Sequence, residues 1–447
     1  MSKQNTANWL TVKSDDVSDI VDYVANGSFE SLAGNVKVMN NDGFAVLVRL
    51  KDFNNKFLKD LKFVDESSYK FLKKSSLSPG DLFVSNVGNP GLCFVVPEFE
   101  KPMTLGPNGV RLRVNDFYNK FFLKYFLESP QGKELLKRII TGTAQQKFNK
   151  TDFRNLYFPL PTLPEQQRIV SKLNNLFAEI EVINKALKKI PQLLQMFKQD
   201  VLSLAISGEL SRKWREANGI SKAAKGILAD VIENIESGKS FNCLNIPVTA
   251  GNVGLVKISA VTWGFFDEVE TKTVVEIDKI NERLFIKKGD FLISRANTLE
   301  LVGAPVIVGD IHNDIMLNDK VWRVLFRNWQ TKFYVMYFLK SSLGRKEIQA
   351  IASGNQLSMR NISKSNFKTI SLDIPALEEQ EEIIRLIESL FAKADKIEAQ
   401  YKTLKQKIDS LPQAILHKAF KGELVEQLPT DGDAKDLLAE IKRLKIK

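Results

Sequence analysis

Leu163-Pro164-Glu165-Gln166-Gln167 returns as Leu377-Glu378-Glu379-Gln380-Glu381, 214 residues further on. At the same offset Ile169 meets Ile383, and Leu176-Phe177-Ala178 meets Leu390-Phe391-Ala392. Val201-Leu202 likewise meets Ile415-Leu416, and Gly208-Glu209-Leu210 meets Gly422-Glu423-Leu424. Upstream, Gly80-Asp81-Leu82-Phe83 corresponds to Gly289-Asp290-Phe291-Leu292 at an offset of 209, and Gly142-Thr143-Ala144-Gln145 corresponds loosely to Gly354-Asn355-Gln356. The chain is therefore a repeat of two halves, each a variable block followed by a helical block that repeats closely. This reading expects a first variable domain over residues 1–160, a helical region over 161–212, a second variable domain over 213–374, a second helical region over 375–426, and an amphipathic tail helix over 427–447.

The helical blocks carry a sustained 3–4 apolar spacing. Ile169, Leu173, Leu176, Ile180, Ile183, Leu187 and Ile190 form the first series. Ile383, Ile387, Leu390, Ala394, Ile397, Tyr401, Leu404, Ile408 and Leu411 form the second. Such spacing over about four heptads is the pattern of a coiled-coil seam. Two matching seams in one chain point to pairing with each other. Pro191 and Pro412 are expected to end or kink these helices, because proline lacks the N–H and crowds the preceding turn. Short helices then follow, ending at Gly208 and Gly422 as C-caps. A helix over 164–190 would span about 40 Å at 1.5 Å per residue, a strut between two domains. The variable blocks read as mixed α/β. Gly43–Leu50 and Phe291–Ser294 look like strands, residues 88–91 and 107–109 like turns, and Asn119–Ile140 and Trp329–Ile351 like helices with basic outer faces.

The 447 residues, 44% hydrophobic and 26% charged, suit two to four globular domains rather than a disordered chain. Two cysteines cannot build a disulfide framework and suit a reducing compartment. The start of the chain has no apolar core of a signal peptide, and no run of 18 apolar residues exists, so a cytoplasmic protein without a membrane span is expected. The net charge of +11 is unevenly placed. Residues 101–160 hold 11 Lys and Arg against four Asp and Glu, and residues 320–370 hold ten against one. Two separated basic patches suggest two contacts with a polyanion.

Residues for catalysis are scarce. With two histidines and two cysteines, a zinc site or a Ser/Cys–His centre has little material. Gly238-Lys239-Ser240 resembles the end of a phosphate-binding loop, but the position requiring its first glycine is Glu233. Glycine-rich dinucleotide, nucleophile-elbow and metalloprotease motifs are all missing. Cys93 lies in an apolar stretch and reads as a core residue, and His417 as structural. The reading is of a non-catalytic DNA reader. Two alternatives stand beside it: a self-sufficient enzyme such as a fused methyltransferase–reader, and a coiled-coil scaffold or DNA-binding adaptor.

Taken together and in order, these residues resemble the specificity subunits of type I restriction–modification systems. The carriers are Leu163 through Val170 after a proline pair, Ile190-Pro191-Gln192-Leu193-Leu194, and Gly208-Glu209-Leu210 followed by Lys213-Trp214-Arg215. In the second half they are Glu379-Gln380, Leu390 through Asp395, and Ala419 through Leu424. The resemblance implies an α+β architecture in which two α/β target-recognition domains alternate with two long helices paired as an antiparallel coiled coil, with an internal pseudo-two-fold. It implies that each domain reads half of a split double-stranded DNA site, while the helices set the spacer and dock two modification subunits. Restriction subunits join the larger assembly. S-adenosylmethionine, ATP and magnesium would be bound by those partners, with no metal or cofactor on this chain. The two variable blocks differ, which implies an asymmetric target.

Candidate contacts are polar residues near glycines and basic patches. They are Ser85, Asn86, Thr143, Gln145, Gln146 and Lys147 in the first domain, and Ser294, Arg295, Asn297, Lys320, Asn355, Gln356 and Arg360 in the second. Gln145 and Gln146 suit adenine, Arg295 suits guanine, and Lys147 suits guanine or phosphate.

Overall fold

The protein is described by a computed structural model, covering residues 9–356 and 359–445. It forms two compact units. One comprises residues 1–187 with 403–447, the other residues 188–402.

Each unit is built on the same plan. In the first, a four-stranded antiparallel sheet runs in the order Ser18–Asp22, Gly109–Val114, Leu82–Ser85, Cys93–Val95. In the second, the order is Ile232–Ser237, Val321–Phe326, Phe291–Ser294, Pro305–Ile307. Gly109 stands opposite Ser85 in one register and Val321 opposite Ser294 in the other, so the strand that repeats at an offset of 209 holds the same place in both sheets, while its partner strand recurs at 212. A second sheet accompanies each, of five strands in the first unit and four in the second. Its one parallel pairing joins Ala45–Val48 to Met103–Leu105 in the first unit and Val253–Val256 to Asp314–Met316 in the second. The strand before each domain closes on the strand that ends it: Leu10–Lys13 with Tyr157–Leu160, and Ala224–Ile227 with Ser371–Ile374.

Two segments that read as single helices are each broken in two. Lys120–Glu128 gives way to Pro130–Lys137 at Ser129, and Thr331–Lys340 to Ser342–Ile351 at Ser341. The cause is local and occurs in both halves. Each serine is extended, and its hydroxyl accepts the N–H of the glycine three residues on while donating to a carbonyl of the preceding helix. That glycine is obligatory. A Cβ on Gly132 would lie 1.9 Å from the Phe126 carbonyl oxygen, and one on Gly344 2.0 Å from that of Phe338. The expected strand Gly43–Leu50 is the shorter Ala45–Val48, and Leu50 already begins the helix Leu50–Asn54.

The helical blocks are shared between the units. Helix Leu163–Leu187 packs into the first core with the end of helix Leu377–Ala419. Ile169, Val170 and Leu173 meet Leu416, Ala419 and Phe420 there, joined by Ile441 of the tail helix Ala434–Lys445. The second core takes the start of that long helix, Ile383 and Ile387, with the end of helix Ile190–Ile206, Val201, Leu202, Ala205 and Ile206. Within each unit the paired segments run antiparallel. Arg168 reaches Asp431 at 2.6 Å while Ile180 and Asn184 face Pro412 and Leu416, and Lys198 reaches Asp395 at 2.7 Å while Pro191 faces Tyr401.

The seam departs from the expected spacing in a regular way. Leu173, Ile180 and Leu187 stay buried, whereas Ile169, Leu176 and Ile183 pass from buried through half-buried to exposed. Ile383, Leu390, Ile397 and Leu404 follow the same course, with Ile397 and Leu404 exposed. A helix at 3.6 residues per turn drifts about 20° per heptad from a 3.5-residue seam, so alternate positions rotate outward. The first helix ends at Leu187, before Pro191, as expected, and Pro191 lies in the first turn of the next, but Pro412 lies inside a helix. Ile408 and Leu416, one turn on either side of Pro412, are both buried and hold the helix across the missing hydrogen bond. Gly208 and Gly422, at φ +73° and +75°, end their helices in the left-handed conformation.

Candidate nucleic-acid interface

The sheet strand ending at Ser85 and its counterpart ending at Ser294 each run into a junction of three segments. At the first, the Asn86 N–H donates to the Asn108 carbonyl at 3.3 Å, and the Phe148 N–H donates to the Asn86 carbonyl at 3.1 Å. At the second, the Arg295 N–H donates to the Lys320 carbonyl at 2.8 Å, and the Ile362 N–H to the Arg295 carbonyl at 3.0 Å. The candidates from distant parts of the sequence are thus brought together twice, on one backbone scheme.

Two candidates do not reach solvent. Ser85 and Ser294 are fully buried, and both sides of each hydroxyl are engaged. Ser85 donates to the Asn89 carbonyl and accepts from the Leu92 N–H. Ser294 donates to the Leu301 carbonyl and accepts from the Ala304 N–H. A serine so committed shapes its loop and offers nothing to a base. The reading of these two as contacts is corrected accordingly.

In the first junction, Thr143, Gln145, Gln146 and Lys147 are exposed on a tight loop closed by two hydrogen bonds between Thr141 and Lys147. Gly142, at φ +92°, makes the closure possible, since a Cβ there would meet the Gln145 carbonyl at 2.4 Å. The Gly88 N–H donates to the Gln146 carbonyl at 2.9 Å and holds this loop on the segment after Ser85. The Asn86 side chain is half-buried, and its Oδ1 has no hydrogen-bond partner among the described residues.

In the second junction Asn297 stands opposite Arg360 in a small three-stranded sheet of Ala296–Asn297, Met359–Asn361 and Ser353–Gln356. Arg295 and Arg360 are half-buried and Lys320 is exposed. Arg360 donates to the Gly354 carbonyl at 2.6 Å, while its Nε is buried with no hydrogen-bond partner among the described residues. Asn355 and Gln356 lie in the strand, but their side chains fall outside the described residues. Lys364, which sequence reasoning passed over, joins this cluster. Burial, and then the positive charge of Arg295, lower its pKa from the usual lysine value. An anion arriving here relieves that repulsion.

Not all of the basic excess faces outward. Arg111 and Arg323, at equivalent sheet positions, are buried against Asp19 and against Glu236 with Asp290. Arg345 donates to the carbonyls of Leu299, Glu300 and Val302 and holds the loop after Arg295. Charge counts along the sequence therefore overstate the field at the junctions. Among the described residues no cluster of three or more His, Cys, Asp or Glu could hold a metal, and no helix is long and apolar enough to cross a membrane. Cys93 is buried, which pushes its thiol pKa far up and leaves it inert.

A family model described as the type I restriction modification DNA specificity domain matches twice, over residues 7–192 and 228–406. The chain belongs to that family. It is 27% identical over 396 residues to the type I restriction enzyme EcoKI specificity subunit of Escherichia coli strain K12, covering 86% of this chain and 84% of that one. It is 27% identical over 369 residues to the EcoBI specificity subunit of Escherichia coli, covering 78% and 74%. The HsdS subunit of Thermoanaerobacter tengcongensis shares the fold, with a TM-score of 0.57 and 16% identity over 94% of this chain and 98% of that chain.

Proposed function

We propose that the chain reads a bipartite, asymmetric DNA target as the non-catalytic specificity subunit of a type I restriction–modification complex, one half-site falling to each α/β domain. The observation that carries this reading is the duplicated junction. One backbone scheme presents Gln145, Gln146 and Lys147 in the first domain and Arg295, Asn297, Lys320 and Arg360 in the second. The shared scheme supplies the platform, and the differing side chains supply different base preferences. A scaffold without nucleic acid has no need of such a pair.

Two modification subunits dock on the helical blocks, and restriction subunits complete the assembly in the cytoplasm. Helix Ile190–Ile206 supports this part of the reading. It buries Val201, Leu202 and Ala205 but leaves Leu193, Met196, Phe197 and Leu204 exposed along another face. S-adenosylmethionine, ATP and magnesium are bound by the partners.

The test is co-expression with a candidate modification subunit, followed by sequencing of methylated bases in the host DNA. A split motif modified only when both chains are present is the expected result. A stable complex that adds no methylation, or no complex at all, would count against the reading.

A further inference from the structure

Beside the second junction a loop carries two large aromatic side chains into solvent. Trp263 is 68% exposed and Phe265 60%, on either side of Gly264 at φ +87°. Phe266 turns the other way and packs on the core that holds Val256 and Ile315. The loop is anchored rather than loose. The Asp267 N–H donates to the Ala260 carbonyl at 2.9 Å, and the Thr262 hydroxyl donates to the Ile258 carbonyl at 2.9 Å. The same hydroxyl accepts from the Asn297 amide at 3.2 Å, which ties the loop to the edge already assigned to base contact. Lys340 donates to the Gly264 carbonyl at 3.3 Å and brings a further cation to it.

The first domain has a counterpart at the same topological position, after the strand that makes the parallel pairing in the second sheet. There Phe57 packs against Phe53 and Phe99, while the next residue, Leu58, is 82% exposed between Lys56 and Lys59. Lys56, Phe57 and Asp60 all have positive φ, and Arg49 clamps the turn by donating to the Asp60 carbonyl at 2.6 Å. Bulky residues adopt that conformation only when the surroundings impose it. Each domain therefore holds an apolar tip outward on a fixed loop, and the two tips differ in residue type. Duplex DNA is the partner this fits. The loop is continuous with a basic edge, and its position is kept between the halves while its tip residues are not.

We propose that Trp263 and Phe265 are base-contacting residues of the second domain, packing against thymine methyl groups in the major groove beside the Arg295–Asn297 edge. This rests on the reading that each domain reads a half-site, and it adds apolar readout to the polar readout already assigned.

The test uses the full-length chain and a library of randomised duplexes, with wild type compared to Trp263→Ala, Phe265→Ala and the double variant. Wild type should require thymine at one or more positions of one half-site. Replacing that thymine by uracil, which removes only the methyl, should weaken wild-type binding roughly fourfold, the ratio that transfer of one methyl from water gives. The double variant should relax those positions, lose sensitivity to the methyl, and keep the other half-site and its melting temperature. The inference is overturned by unchanged selection in the double variant, by a wild-type half-site that requires no thymine, or by equal loss at both half-sites with a lowered melting temperature. A wild-type chain that selects no sequence would overturn the two-domain reading itself, and this inference with it.

Discussion

Arg215→Ala should unfold the second unit far more readily than its single-residue size suggests. Arg215 donates through Nη1 to Glu379 Oε1 at 2.7 Å and to the Gly208 carbonyl at 3.0 Å, joining the end of one helical block to the start of the other. Glu379 is fully buried. Its Oε1 also accepts from the Ser211 hydroxyl at 2.7 Å, and its Oε2 has no hydrogen-bond partner among the described residues. Removing the guanidinium leaves a buried carboxylate with one neutral donor, a change that costs about 3–5 kcal/mol. A domain is stable by only about 5–15 kcal/mol, so the variant sits near its folding threshold. Arg215→Ala with Glu379→Gln replaces the stranded charge by an amide, whose unmet hydrogen bonds cost about 1–3 kcal/mol. The double variant should therefore be the more stable of the two, by roughly 2 kcal/mol. Urea unfolding followed by tryptophan fluorescence reads this directly, because Trp214, Trp263, Trp322 and Trp329 lie in the second unit and only Trp9 of the five in the first. A single variant within about 1 kcal/mol of wild type, or a double variant less stable than the single, would refute the reasoning.

Gly132→Ala and Gly344→Ala should each destabilise its own unit by about 1–3 kcal/mol in urea unfolding, because the Cβ–carbonyl clash outweighs the roughly 1 kcal/mol that alanine gains in helix propensity; stabilisation by either would show that the close helix approach is not required. Glu165, the repeat partner of Glu379, accepts hydrogen bonds from the neutral donors of Trp9 and Gln427, and burial raises its carboxyl pKa above the usual 4.5. The folded state then holds its proton to higher pH than the unfolded chain, so this group lowers stability as pH rises through 4.5 toward the raised value. Glu165→Gln should flatten that part of the first unit's pH–stability curve, and an unchanged curve would contradict the assignment. Lys147→Ala should relax one half-site and Arg295→Ala the other in duplex selection, with binding throughout steeply weakened by salt; a variant that relaxes both halves alike would speak against separate domains.

The helical repeat was legible because its signal is local and doubled. A 3–4 apolar spacing with glycine at each end needs no knowledge of the partner, and Gly208 and Gly422 close their helices as read. The correspondence between Gly80–Phe83 and Gly289–Leu292 falls on equivalent sheet strands, of which the sequence reading named Phe291–Ser294 alone. Sequence spacing did not reveal the breaks at Ser129 and Ser341, although Ser-x-x-Gly occurs in both halves. An N-cap serine inside an amphipathic run is invisible until the glycine after it is seen against a carbonyl. Nor could it separate Ser85 and Ser294, which are buried, from their exposed neighbours, or Arg111 and Arg323 from the cations at the surface. Burial is decided by segments far away in the chain.

By itself the sequence determined the duplication, the helical blocks, the two basic variable domains and the family to which they belong. The first three follow from periodicity and composition, which each residue carries wherever it ends up, and the family from its resemblance to the repeated motifs taken in order. Only the tertiary structure decided that each core takes the start of one helical block and the end of the other, that helix Leu377–Ala419 runs through Pro412, and that Asn86 and Arg295 hold equivalent junctions. Those outcomes depend on contacts between residues more than twenty positions apart, and in the cores more than a hundred, where packing and hydrogen bonding override the local preference of any one segment.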